Sequence, residues 1–184
     1  GTDITDAQWD SDGQTLVWRQ RDGSRGTLMA QRRGGEISEL TLGLSVRAEV
    51  NYGGGDFVVA HRHIVYVCDG LLWRMNIDGS EALQLTHEVG AVAAPAISPD
   101  AKWIVYVRAG DDADEICVVD WNGKLSEQRL LSGDEFYMQP AWNPDSSVVA
   151  CVAWNAPQMP WDGCRLRLAR LGYTEGQPRV LTTN

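Results

Sequence analysis

Apolar residues fall in short runs along the whole chain, each closed by Gly, Pro, Asp, Asn or Ser. Runs such as "TLVW", "HIVYV", "WIVYV" and "EICVVDW" are rich in β-branched and aromatic residues. No segment sustains the 3.6-residue period of an amphipathic helix, so the pattern predicts strands throughout.

The runs recur in a fixed order. Four segments close alike, on Glu39-Leu40-Thr41, Gln84-Leu85-Thr86, Leu130-Leu131-Ser132 and Val180-Leu181-Thr182, at intervals of 45, 46 and 50 residues. That spacing is the period of a four-stranded propeller blade. In each unit a short first strand precedes a tight turn, an apolar second strand, a third strand, a polar turn and the closing Leu-Thr or its equivalent. The expected fold class is all-β: a partial β-propeller of about four four-stranded antiparallel blades, spanning 7–41, 50–86, 93–132 and 138–182.

The turns refine this picture. In Ser98-Pro99-Asp100-Ala101 the proline pre-sets φ and the aspartate can bond its own backbone, while the residue that follows favours glycine if its φ is positive. Ala101 and Ser146 occupy that slot, so mild strain or a different turn type is expected there. The second unit departs further, with Ala60-His61-Arg62-His63 in place of an Asp-rich turn. A blade has two broad faces, and four blades cut from a larger ring would leave the end faces bare. The alternatives are a closed four-bladed ring or an excerpt that pairs with itself or with further chain.

Composition narrows the partners. At 184 residues and 43% hydrophobic content the chain can build a core, which argues against disorder. A formal charge of −9 without a Lys/Arg stripe argues against nucleic acid. The most basic stretch, Arg19 to Arg33, alternates with small and polar residues and is expected to line the solvated face of strands. Cys68, Cys117, Cys151 and Cys164 lie far apart beside apolar runs, which suits reduced, buried thiols and a cytoplasmic setting. No apolar run approaches the ~20 residues of a membrane-spanning helix, and neither a signal peptide nor a membrane partner is expected.

Three stretches carry a more specific signal: Val50 to Phe57 ("VNYGGGDF"), Ile97 to Val107 ("ISPDAKWIVYV"), and Asp134 to Gly163, with its "WNPD" and "NAPQMPWDG". Together they resemble the N-terminal β-propeller of prolyl-oligopeptidase-type (S9 family) serine peptidases, particularly the acylaminoacyl-peptidase and dipeptidyl-aminopeptidase-like branch. The match runs over roughly 45–182. The resemblance implies an excerpt of a seven- or eight-bladed ring capping an α/β-hydrolase domain with a Ser-Asp-His triad. No G-x-S-x-G elbow occurs among the 184 residues, and His61, His63 and His87 have no nucleophile-bearing turn near them. No catalytic residue, metal or cofactor is therefore assigned to this chain.

Loops joining strands two and three, and strand four to the next strand one, share a face of an antiparallel propeller. That face gathers the interdomain or substrate-facing candidates: Tyr52, Gly53, Gly54, Gly55, Asp56, Tyr137, Met159, Trp161 and Asp162, with Glu49 and Glu135 beside them. Trp161 and Met159 are expected to be desolvated against a partner domain and Asp162 to accept from local amides; the glycines would admit close backbone approach. The alternative is that Trp154, Met159 and Trp161 plug the gap between blades. The acidic stretch Gly110 to Glu115 could hold calcium but lacks an EF-hand pattern, and reads better as a solvated loop. His61 and His63, two apart on a strand, would face the same way without a third ligand, and read as surface histidines.

Two functions compete at this point. The first is a non-catalytic gating propeller of a serine peptidase acting on short or N-terminally accessible peptides, partnered by a C-terminal hydrolase domain and peptide substrate, with the fragment alone self-associating through its open blade faces. The second is a stand-alone TolB-like propeller serving as a protein-interaction scaffold. A carbohydrate-active propeller finds no recurring carboxylate pair to support it.

Overall fold

The computed structural model describes all residues except 49, 51–54, 175 and 184, and excludes the side chains of 177 and 182. Sixteen strands and no helix occur among the described residues, arranged as four separate four-stranded sheets with strands in chain order. The first sheet holds β1 (Asp3–Trp9), β2 (Thr15–Asp22), β3 (Arg25–Arg32) and β4 (Ile37–Glu39). The second holds β5 (Phe57–Ala60), β6 (His63–Cys68), β7 (Leu71–Asn76) and β8 (Leu83–Gln84). The third comprises β9 (Val92–Ile97), β10 (Trp103–Ala109), β11 (Asp114–Asp120) and β12 (Gln128–Leu131). The fourth comprises β13 (Phe136–Trp142), β14 (Val148–Trp154), β15 (Arg165–Thr174) and β16 (Gln177–Thr183). All neighbours pair antiparallel, and the fold is a partial β-propeller.

Three apolar interfaces join the four sheets, and the two-residue alternation of a strand assigns each side chain to one of them. On β6, Ile64 and Tyr66 pack with Val17 and Leu28 of the first sheet, whereas Val65 and Val67 pack with Ile104 and Tyr106 of the third. On β10, Val105 and Val107 turn the other way, toward Val149, Cys151 and Ala153 of the fourth sheet. Both faces of the inner sheets are thus covered, which is why "HIVYV" and "WIVYV" are apolar without interruption. The end sheets alternate instead: on β15, Ala169 and Leu171 are buried while Leu166 is 64% exposed.

The closing threonines explain their own recurrence. Thr41 Oγ1 accepts from the Leu28 amide at 3.0 Å, and Thr86 Oγ1 accepts from Leu72 at 3.0 Å, both out of water. Each hydroxyl satisfies a third-strand amide where the fourth strand stops pairing. Ser132, in the equivalent place, is exposed.

The turns between strands one and two follow the expected strain. The Ala101 amide donates to Ser98 O and the Ser146 amide to Asn143 O, and both residues have positive φ, 55° and 61°. A type I turn followed by a left-handed residue matches this geometry. In the second sheet His61 and Arg62 both take positive φ, 54° and 60°, the signature of a two-residue hairpin turn. His61 therefore lies in the turn and not on a strand, so the two histidines do not share a strand face. His63 Nδ1 is 2.7 Å from His61 O and its ring meets Trp121 at 4.9 Å.

Neighbouring sheets are also stitched by polar contacts at these turns. The Arg62 amide donates to Asp10 Oδ1 (3.0 Å), Asp100 N to Ser146 Oγ (3.2 Å) and Trp142 Nε1 to Ala96 O (3.0 Å). The first strands of successive sheets lie side by side, β1 by β5, β5 by β9 and β9 by β13. They border a cavity of about 350 Å³. Along this edge β1, β9 and β13 each carry an irregularity in register. Asp6, Gly55, Ala94 and Gln139, one per sheet, all have positive φ and line the cavity.

Candidate functional site

The loop face is built where second strands end and first strands begin. One part of it joins the third and fourth sheets. The Asp114 amide donates to Glu135 O at 2.9 Å, tying the acidic loop of the third sheet to the segment before β13. Tyr137 N in turn approaches Asp114 Oδ2 at 3.4 Å. On the other side, Glu135 N donates to Asn155 Oδ1 (2.7 Å) and Ala156 N donates to Glu135 Oε2 (2.7 Å). The loops before β13 and after β14 therefore interlock, beside the stacked rings of Phe136 and Trp154 (5.3 Å).

Asp134 lies at the centre of this region, 3% exposed by its side chain, 3.3 Å from Arg165 Nη2 and 3.1 Å from Arg167 Nε. It also meets the Tyr137 hydroxyl at 3.3 Å and Asn155 Nδ2 at 3.4 Å. A buried carboxylate is tolerated because two guanidinium groups and two hydrogen-bond donors surround it. Sequence reasoning passed over Asp134. The signal was Arg165-Leu166-Arg167: alternation puts both arginines on the face that carries Ala169 and Leu171 into the third sheet, and such a pair calls for a buried acid.

The candidates divide sharply. Tyr52, Gly53 and Gly54, with Glu49, lie outside the described residues. Gly55 has a φ of 90° and its carbonyl accepts from Ala94 N at 2.8 Å, tying the segment before β5 to β9. Asp56 is occupied internally: Arg19 Nε lies 3.3 Å from Oδ2, and the Ala48 amide donates to Oδ1 at 2.6 Å. Arg19 itself is 8% exposed and donates to Val46 O at 2.9 Å. The reading of Arg19 as a solvated strand residue is thus corrected: Val17 and Arg19 alternate onto the buried side of β2, and the desolvated guanidinium is offset by Asp56 and a backbone carbonyl. Tyr137 is 1% exposed, and burial pushes its hydroxyl pKa up.

The two tryptophans of the segment 154–163 have separate roles. Trp154 is 1% exposed and stacks on Phe136 of its own sheet at 5.3 Å. Trp161 is 74% exposed, so the plug reading does not hold for it. Met159 is half-buried, and its carbonyl accepts from the Asp162 and Gly163 amides at 2.9 and 3.1 Å. Asp162 is exposed.

Elsewhere on this face the acidic loop closes on itself through Gly110 N to Ala113 O (3.0 Å), with Asp111 and Asp112 exposed. Burial pushes Asp114 up from the ordinary carboxylate range, against the opposing bond from Tyr137 N. No group of three or more His, Cys, Asp or Glu side chains among the described residues is placed to hold a metal ion. Cys68, Cys117 and Cys151 are buried free thiols, the last two with pKa values pushed up to about 12 by burial, and Cys164 is exposed. Among the described residues no helix is long and apolar enough to cross a membrane.

No protein-family model matches the chain, and no curated protein matches it. Solved structures do. A puromycin-hydrolysing peptidase of Mycobacterium tuberculosis superposes with a TM-score of 0.79 at 25% identity, covering 100% of this chain and 31% of that one. A puromycin hydrolase gives 0.73 at 23% identity over 94% of this chain and 31% of its own. TolB from Acinetobacter baumannii gives 0.69 at 15% identity, over 98% of this chain and 43% of that one, a likeness of fold alone. The chain thus spans about a third of the length of the peptidases it resembles. Its motifs resemble the propeller of prolyl-oligopeptidase-type (S9) serine peptidases, and its whole length has the fold of part of a puromycin-hydrolysing peptidase.

Proposed function

We propose that this chain is the non-catalytic, substrate-gating propeller of a cytoplasmic serine peptidase of the prolyl-oligopeptidase type, within the acylaminoacyl-peptidase and dipeptidyl-aminopeptidase-like branch. Its role is to admit short or N-terminally accessible peptides to a hydrolase domain by steric exclusion. The observation that carries this reading is where apolar surface is left bare. Ten large apolar side chains are exposed among the described residues, and they fall in two places only. Leu42, Leu44, Val89 and Trp161 stud the loop face. Ile4, Trp9, Ile37, Leu166 and Leu181 lie on strands of the two end sheets, as does Tyr173, which is turned inward onto Trp103 of the third sheet at 5.9 Å. None belongs to the polar turns of the opposite face or to the strands of the inner sheets. Exposed apolar patches of this kind mark surfaces that another body covers. The loop face suits a catalytic domain and the end sheets suit further blades; four free thiols, three of them buried and Cys164 exposed, suit a reducing compartment.

The test uses the full-length parent protein. A fluorophosphonate probe is expected to label the parent and to leave the 184-residue chain unlabelled. In the parent, joint replacement of Leu42 and Trp161 by alanine is expected to loosen the cap, so that cleavage of a long unfolded polypeptide rises relative to a short peptide. A parent inert to the probe, or a variant with an unchanged ratio, overturns the reading.

The end sheets yield a separate expected outcome. Alone, the chain is expected to cover Trp9 and Leu166 by self-association, so that light scattering at micromolar concentration should show oligomers. Trp9→Lys with Leu166→Lys shifts the mass to that of one chain; a wild-type chain that is already monomeric refutes self-association.

A further inference from the structure

The loop after β14 is long, yet its first residues are held by side chains from a different loop. Glu135 N donates to Asn155 Oδ1 and Asn155 Nδ2 reaches Asp134 Oδ1, while Glu135 Oε2 accepts from Ala156 N. These three contacts lie beyond the sheet, whose last register pair here is Phe136 with Trp154. We propose that Glu135 and Asn155 form a reciprocal latch that positions the Trp161-bearing loop, with the Asp134–Arg165–Arg167 cluster as its anchor.

The chemistry of the pair supports this role. Asn155 uses both ends of its amide, accepting from one residue and donating to the preceding one, so it reads the backbone and side chain of a single dipeptide. Glu135 completes the exchange by satisfying an amide at the start of the loop, where no ladder partner remains. The same Glu135 carbonyl takes the Asp114 amide, so the acidic loop and the Trp161 loop are fastened to one residue. Past Ala156 the loop is held by its own turns, Gln158 N to Asn155 O at 3.1 Å and Asp162 N to Met159 O at 2.9 Å. Asn155 O begins the first of these turns, and fixing Asn155 therefore fixes the platform on which Trp161 is presented. Glu135 is a positioning residue. The consequence for docking rests on the proposed role of Trp161, whereas the latch itself does not.

The experiment is residue-resolved hydrogen exchange on the 184-residue chain, with three variants. Glu135→Ala is expected to raise exchange at Ala156 and across 156–163 by tenfold or more, with β14 unchanged. Glu135 is exposed, so the thermal midpoint should move by no more than about 2 °C. Glu135→Gln keeps an oxygen that can accept from Ala156 and restores most of the protection. Asn155→Ala raises loop exchange like Glu135→Ala. A uniform rise over the whole chain, an unprotected Gln variant, or a loop whose exchange ignores both residues overturns the latch. None of these results depends on a hydrolase domain, so they fail or succeed apart from the gating role.

Discussion

Gly55→Ala is expected to destabilise the chain by about 3 kcal/mol, although it adds one methyl group. Two penalties act together. Gly55 has a φ of 90°, where an L-residue with a Cβ loses about 1–2 kcal/mol. The added Cβ would also sit 2.8 Å from Ala94 Cα and 3.3 Å from both Ala94 N and Ala94 Cβ, atoms fixed by the backbone. Ala94 cannot yield by changing rotamer; β9 must shift, and overpacking of this kind costs about 1–3 kcal/mol. The shift would strain the bond from Ala94 N to Gly55 O, which links the segment before β5 to β9. Gly13→Ala is the control: φ is 65° but nothing lies within 4 Å of the new Cβ, so only the conformational penalty of about 1 kcal/mol remains. Urea unfolding followed by tryptophan fluorescence measures both. Equal, small losses would show that β5 and β9 are not held as tightly as the geometry requires.

The sheets were legible because each obeys a local rule. In the first two units the recurrence of Leu-Thr reflects a hydroxyl that satisfies a third-strand amide, as Thr41 and Thr86 show. Ala101 and Ser146 betrayed their positive φ by occupying the glycine slot of an Asp-containing turn. What sequence could not supply were pairings across large separations. Arg19 has its partners at Val46 and Asp56, so its charge pattern resembled that of a solvated strand until those residues were placed beside it. The histidine pair failed for a local reason, since His61 belongs to a two-residue turn whose glycines are missing. At the loop face, Asp56 and Tyr137 are engaged within the fold, and Asp134 holds the centre.

Trp154 and Trp161 allow the largest contrast in one loop. Trp154→Ala is expected to cost about 4 kcal/mol, because a large side chain 1% exposed leaves a cavity that its surroundings cannot fill. Phe136 would lose its stacking partner at 5.3 Å, and both rings lie beside the segment that bonds Asp134 and Glu135 to Asn155. At roughly 2–4 °C per kcal/mol for a chain of this size, the thermal midpoint should fall by about 10 °C. Trp161→Ala should change stability by no more than about 0.5 kcal/mol, because 74% of the side chain is already in water. In the full-length parent the order inverts: Trp161→Ala should weaken closure over the hydrolase domain while the propeller remains folded, measured as faster proteolysis between domains at an unchanged propeller melting transition. A large loss of stability on replacing Trp161, or none on replacing Trp154, would mean that the two rings have been assigned to the wrong sides of the loop.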